Sequence, residues 1–310
     1  MSALTSSQKR SLKKLKQKLN FACSLGDVEG GKKIVNELRL LLTPTGHKVK
    51  YYEMLLYFSE MIILKEELAT ANKLLTHVAT NTNENTRINQ EANLILAICK
   101  LHMHDLVAAE NFLRKALNSK AIKDVARRKI FLKSVSRRFE EEALIVSFGV
   151  EQTKLDVDAI IIDVQNKFMS NCSNSELIEQ VGRSVPPESI DFARNIYEMA
   201  KKQLPCNERK MLSPPSRIHD YSDIGAKVFS GVSRRIWLSL CLPNSRVQKT
   251  LSEIDDMTLI VKRVISEINH LKFKIMPIIA CVTAIIIKNT VNGYCKKYKP
   301  VSVMDARYRR

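Results

Sequence analysis

Two stretches decide the fold: Leu25-Gly26-Asp27-Val28-Glu29-Gly30-Gly31-Lys32-Lys33-Ile34-Val35-Asn36-Glu37-Leu38 and Met103-His104-Asp105-Leu106-Val107-Ala108-Ala109-Glu110-Asn111-Phe112-Leu113-Arg114-Lys115-Ala116. They share one frame. A turn is followed by an acidic residue, an aliphatic residue and then a small residue (Gly31, Ala109), with apolar residues four and seven positions later. On a helix those positions lie on one face, and a small residue near the start lets that face approach a neighbouring helix closely. Lys65-Glu66-Glu67-Leu68-Ala69-Thr70-Ala71 with Leu75 and Val78 fits the frame, as does Glu188 to Ala200 with Ala193, Tyr197 and Ala200. The small residues Gly31, Ala71 and Ala109 are 40 and 38 positions apart, and a weaker unit sits at Ala143, 34 after Ala109. Self-similarity at such a period is the signature of stacked helix pairs.

The rest of the chain extends this reading. Apolar residues recur at three and four, as in Leu12, Leu15, Leu19 and in Leu94, Ile98, Leu101. Nine Gly and nine Pro in 310 residues are too few for the many tight turns of an all-β sandwich or barrel. The breaks are short: Thr43 to Gly46, Asn81 to Asn85 and Ser184 to Pro187. The longest runs from Leu204 to Ser222 with Pro205, Pro214 and Pro215, and it predicts a boundary. Beyond it the pattern predicts helices over Ile224 to Leu240, Val247 to Phe273 and Pro277 to Val291, then a basic tail. The expected fold is all-α: a solenoid of antiparallel helix pairs over 1–205, a Pro/Ser linker over 206–222, and a small C-terminal helical bundle over 223–310.

The repeat frame resembles the tetratricopeptide repeat family. Leu96-Ala97 ahead of the turn at His104 matches the first-helix part of that family's pattern, and Pro205 matches its closing proline. No repeat has the family's tryptophan, and the first two intervals exceed its ~34 residues, so the resemblance is to a divergent member. It implies a scaffold whose groove is lined by first-helix side chains and holds a protein partner. Here those come from Leu55 to Ile62 and Leu94 to Leu101, with Tyr57 and Lys100 as candidate contacts.

The formal charge of +18 is unevenly placed. Residues 1–50 carry 11 basic and 3 acidic residues, and residues 206–310 carry 19 and 8. Within the near-neutral middle, Arg114 to Arg138 holds ten basic residues against Asp124 alone. Arg127, Arg128, Lys129, Lys133, Arg137 and Arg138 are its candidates for holding phosphates or an acidic partner. Only Phe131 and Phe139 lie near to supply stacking. A solvated helix face is the plainer reading.

Seven scattered cysteines with no CxxC pair give neither a zinc nor a redox motif. They are expected to be reduced thiols, mostly in the core, of a cytoplasmic protein. Met1 to Asn20 has six Lys/Arg and no apolar core of a secretory signal. Ile275 to Ile287 is apolar apart from Pro277 and Thr283, but its 13 residues fall short of the ~20 that span a bilayer. It is expected as a buried bundle helix packed on 224–240 and 247–273, with an oligomer contact or a membrane-active element as alternatives. Asp156, Asp158 and Asp163, and the pair His102 and His104, lack the company a metal site needs. No phosphate loop, GxGxxG, GxSxG or HExxH is present. No catalytic residue, cofactor or metal is therefore expected. The expected function is a non-catalytic scaffold or adaptor, with its solenoid on one protein and its C-terminal module on a second or on itself. A nucleic-acid-associated subunit using 114–138 is the alternative, and a membrane-active effector using 275–291 is the second.

Overall fold

The computed structural model describes residues 3–25, 27–148, 156–212, 214–215, 217–241, 257–268 and 275–303. Among them are 15 α-helices and no strand. Two compact units form. The first comprises Met1–Val135, Met199–Leu212 and Val301–Arg310, and the second Ser136–Glu198 and Ser213–Pro300. This division does not follow the expected order along the chain. Residues 136–198 group with the C-terminal helices, and the segment read as a linker is shared between the units.

The first unit holds α1 (Ser6–Leu25), α2 (Val28–Leu42), α3 (Lys48–Ile63), α4 (Leu68–Thr80), α5 (Arg87–His102) and α6 (Leu106–Asn118). Each packs on the next, and α1 on α3 and α3 on α5. One turn recurs. The Asp27, His47, Glu67 and Asp105 N–H groups donate to the carbonyls of Ala22, Leu42, Ile62 and Lys100, five residues back, at 2.9, 2.8, 3.0 and 3.0 Å. Gly46, Glu66 and His104, each one residue earlier, have φ of 77°, 63° and 57°. This six-residue ring satisfies a carbonyl at the end of the preceding helix. Asp27 and Asp105 then cap the next helix, their carboxylates accepting from the N–H of Gly30 at 2.8 Å and Ala108 at 3.1 Å. The acidic residue of the repeat thus closes one helix and opens another.

The small positions sit at helix crossings. A Cβ on Gly31 would lie 2.3 Å from the Phe58 ring on α3. Ala71, Ala109 and the apolar residues four and seven later (Leu75, Val78, Leu113, Ala116) are all fully buried.

α7 (Val125–Ser147) and α10 (Pro187–Lys202) each run across the division between the units, and α11 (Cys206–Arg209) belongs to the first. The second unit adds α8 (Val157–Met169), α9 (Asn174–Arg183), α12 (Tyr221–Cys241), α13 (Met257–Ile268), α14 (Met276–Lys288) and α15 (Val291–Lys297). Of the helix expected over 247–273, the residues flanking α13 lie outside the described residues. α9 and α12 meet backbone to backbone: a Cβ on Gly182 would lie 1.9 Å from the Tyr221 carbonyl oxygen, and one on Gly225 1.8 Å from that of Ile178.

Every residue of α14 from Ile278 to Ile286 is buried. Its main neighbours are α8 and α9, with α13 also in contact; α12, expected as a chief partner, is not among them. No single helix among the described residues is long and apolar enough to cross a membrane, and α14 and α15, which are so only when taken together, are bent by 99°. Cys241 and Cys295 form a disulfide, and the Trp237 indole N–H donates to the Cys295 carbonyl at 3.1 Å. The pairing corrects the expectation of seven reduced thiols. Cys23, Cys99 and Cys281 are core residues.

Candidate functional site

The first-helix groove expected over Leu55 to Ile62 and Leu94 to Leu101 is not an open surface. Every residue of those two stretches is buried except Tyr57 and Lys100, which are half-buried. Lys100 reaches the Asp105 carboxylate at 3.4 Å, so it serves the repeat turn. These stretches are packed between neighbouring helices: α3 touches α2, α4 and α5, and α5 touches α3, α4 and α6.

The basic run is split by its structural role. Arg128 is 8% exposed. Its guanidinium donates to the Glu208 carboxylate at 2.7 and 3.2 Å and to the Leu117 and Ser119 carbonyls. Arg138 is 7% exposed and pairs with Glu142 at 2.9 Å. Neither presents its charge to phosphates, which corrects their candidacy. Arg137 is exposed and pairs with Glu141 at 3.0 Å. Arg127, Lys129 and Lys133 are exposed.

The second unit gathers charge inside. Glu140 meets Lys227 at 2.8 Å, and Glu141 meets Arg234 at 2.7 Å. Fully buried Glu142 faces three guanidinium groups, those of Arg138, Arg234 and Arg235, at 2.9, 3.2 and 3.0 Å. The Glu-Glu-Glu of α7 and the Arg-Arg of α12 answer one another, so these cations neutralise internal anions.

The first unit has an open polar cleft of about 830 Å³ formed by α4, the loop after it, α5 and α6. Five of its lining residues are asparagines: Asn83, Asn85, Asn89, Asn93 and Asn118. The sequence places them there through caps and turns. Thr86 caps α5, accepting from the Asn89 N–H, and Asn83 turns the loop by accepting from the Asn85 N–H at 2.9 Å. The Asn89 amide donates to the carbonyls of Ala79 and Thr82 at 2.8 and 3.1 Å, which anchors the loop to the helix. The Asn93 amide in turn donates to the Asn89 carbonyl oxygens at 2.9 and 2.7 Å. Opposite, the Ser119 hydroxyl donates to the Glu84 carbonyl at 3.0 Å. Phe112 supplies an aromatic face, with the Lys115 ammonium 5.6 Å from its ring centroid.

The charged lining residues are Glu84 and Lys115, and the lining holds no histidine or cysteine. Side-chain amides and hydroxyls on a fixed frame can exchange hydrogen bonds with the main chain of an extended segment in both donor and acceptor senses. The sequence reading treated Asn81 to Asn85 as a break only. The available signal was the crowding of asparagine at 81, 83, 85, 89 and 93, beyond what one turn needs.

The other singled-out residues have local roles. Asp156 caps α8, accepting from the Ala159 N–H at 2.9 Å, and Asp163 pairs with Lys167 at 3.1 Å. His104 takes the left-handed position of the repeat turn. Among the described residues no group of three or more His, Cys, Asp or Glu is placed to hold a metal ion. No protein-family model, curated protein or solved structure matches the chain.

Proposed function

We propose that this protein is a non-catalytic interaction scaffold: a divergent tetratricopeptide-like array of helix pairs that holds an extended segment of a protein partner. The observation that carries the reading is the amide-lined cleft across α4, α5 and α6. The recurring turn at Asp27, Glu67 and Asp105 supports the repeat assignment. The cleft replaces the first-helix groove as the binding surface, because Leu55 to Ile62 and Leu94 to Leu101 are buried apart from half-buried Tyr57 and Lys100. Protein is favoured over nucleic acid because the cleft is neutral on balance and two of the six candidate residues of the run, Arg128 and Arg138, are buried on carboxylates.

The test is to pan a displayed random-peptide library against the full chain. Recovered peptides are expected to lose at least about tenfold in affinity, ~1.4 kcal/mol, when Lys115→Ala and Asn118→Ala are combined. Both residues are exposed, so the melting midpoint should not move. A library that yields no enriched peptide, or peptides indifferent to the pair, overturns the cleft as the binding surface.

A further inference from the structure

A second feature, independent of the cleft, lies at Glu60. Glu60 lies in α3 among the buried residues Leu56, Phe58, Ser59 and Met61, and is itself 3% exposed. A carboxylate in such surroundings requires donors. Two come from 242 and 243 residues further along the chain: the Ser302 hydroxyl donates to one carboxylate oxygen at 2.6 Å, and the Val303 N–H to the other at 3.3 Å. Val303 is 9% exposed, whereas Val301 is 41% exposed. The Ser302 hydroxyl, the Val303 N–H and the Val303 side chain all take part in holding the segment. These are contacts that any extended peptide of the same type can make. Tyr57, one helical turn before Glu60, lies on the same side of α3.

We propose that the α3 face around Glu60 is a peptide-binding site whose present occupant is the chain's own segment 301–303, and that a partner segment in which Ser or Thr stands between β-branched residues displaces it. The internal copy lowers the apparent affinity for the competitor by the fraction of time the site is filled. This face belongs to the stretch from which the sequence pattern predicts partner contacts, and the internal occupant gives one reason it is closed.

A fluorescent peptide of residues 296–303, titrated into the full chain and followed by anisotropy, tests this. Ser302→Glu places a carboxylate against Glu60 and expels the internal segment. That variant is expected to bind the peptide about tenfold more tightly than the unaltered chain, as for a site filled nine-tenths of the time. Adding Glu60→Ala should return binding to the unaltered level. If Ser302→Glu keeps its circular dichroism and melting midpoint yet binds no better, the site is not a peptide site. A second measurement avoids the variants: excess unlabelled peptide added to the unaltered chain should accelerate hydrogen exchange at the Val303 amide. Unchanged exchange at saturating peptide overturns the displacement.

Discussion

The two units are built of the same secondary structure and held together by different means. In the first, closeness comes from local devices: a recurring six-residue turn, with a left-handed residue at Gly46, Glu66 and His104, and small residues that let the next helix settle, as with Gly31 against Phe58. In the second, closeness comes from two glycines, Gly182 and Gly225, whose helices touch backbone to backbone. Charge is handled differently as well. α1 in the first unit exposes Lys9, Arg10, Lys13, Lys14, Lys16 and Lys18. The second unit buries Glu140, Glu141 and Glu142 against Lys227, Arg234 and Arg235. Helical content alone therefore says little about what fixes a helical protein. Local repetition leaves polar surface open for a cleft, whereas the buried ion network commits the polar groups to one internal arrangement.

The contrast is broken most forcefully at Glu142. Glu142→Ala would leave three buried guanidinium groups facing one another, and removing one member of a buried ion pair costs about 3–5 kcal/mol. Denaturant unfolding should lose the cooperative transition of the second unit while the first keeps its own. An unchanged unfolding curve would mean that the network contributes nothing to that unit. A smaller effect belongs to the repeat. Ala109→Leu adds a branched side chain at a fully buried crossing and is expected to cost about 1–3 kcal/mol. A thermal melt by circular dichroism measures it, and an unmoved midpoint would refute the repeat register.

The third effect, absent at neutral pH, distinguishes interior from surface thiols in both units. Burial pushes Cys23 up from 9.0 to about 12, and Cys99 and Cys281 up to about 11. The unfolded chain gives up these protons at a lower pH than the folded one. Unfolding is therefore favoured as pH rises above 9.0 toward the folded values, with no contribution from these groups below it. Urea midpoints taken on either side of 9.0 should show the fall. In the folded chain at neutral pH, a thiol reagent should modify exposed Cys206 and leave Cys23, Cys99 and Cys281 intact.

What was legible in the sequence follows from distance along the chain. The helices, the repeat positions and the caps at Asp27 and Asp105 depend on residues within one or two turns of each other. Their spacing therefore carries the signal. Arg137 with Glu141 and Arg138 with Glu142 are also four apart, a local signal for their pairing that the candidacy of both arginines overlooks. Long-range partners left no such trace. Arg128 meets Glu208 from 80 positions away, Arg235 meets Glu142 from 93, and Cys241 pairs with Cys295 from 54. Nothing in the spacing of those residues selects the partner. The place of α14 was missed for the same reason: its apolar sequence requires burial but names no neighbour, and α8 and α9 precede it by about a hundred residues. The cleft was half visible, in asparagines whose number exceeds the needs of the turn they stand in.

The first unit is proposed to engage protein through the α4–α6 cleft and not nucleic acid through the basic run. Site-specific photocrosslinking in cells of the native host tests it, with a benzophenone side chain placed at Thr80 on the cleft or at Lys129 on the run; both positions are exposed. A discrete, protease-sensitive adduct is expected from Thr80, disappearing when Lys115→Ala and Asn118→Ala are added, with no such adduct from Lys129. A nuclease-sensitive adduct from Lys129, with nothing captured at Thr80, would contradict it.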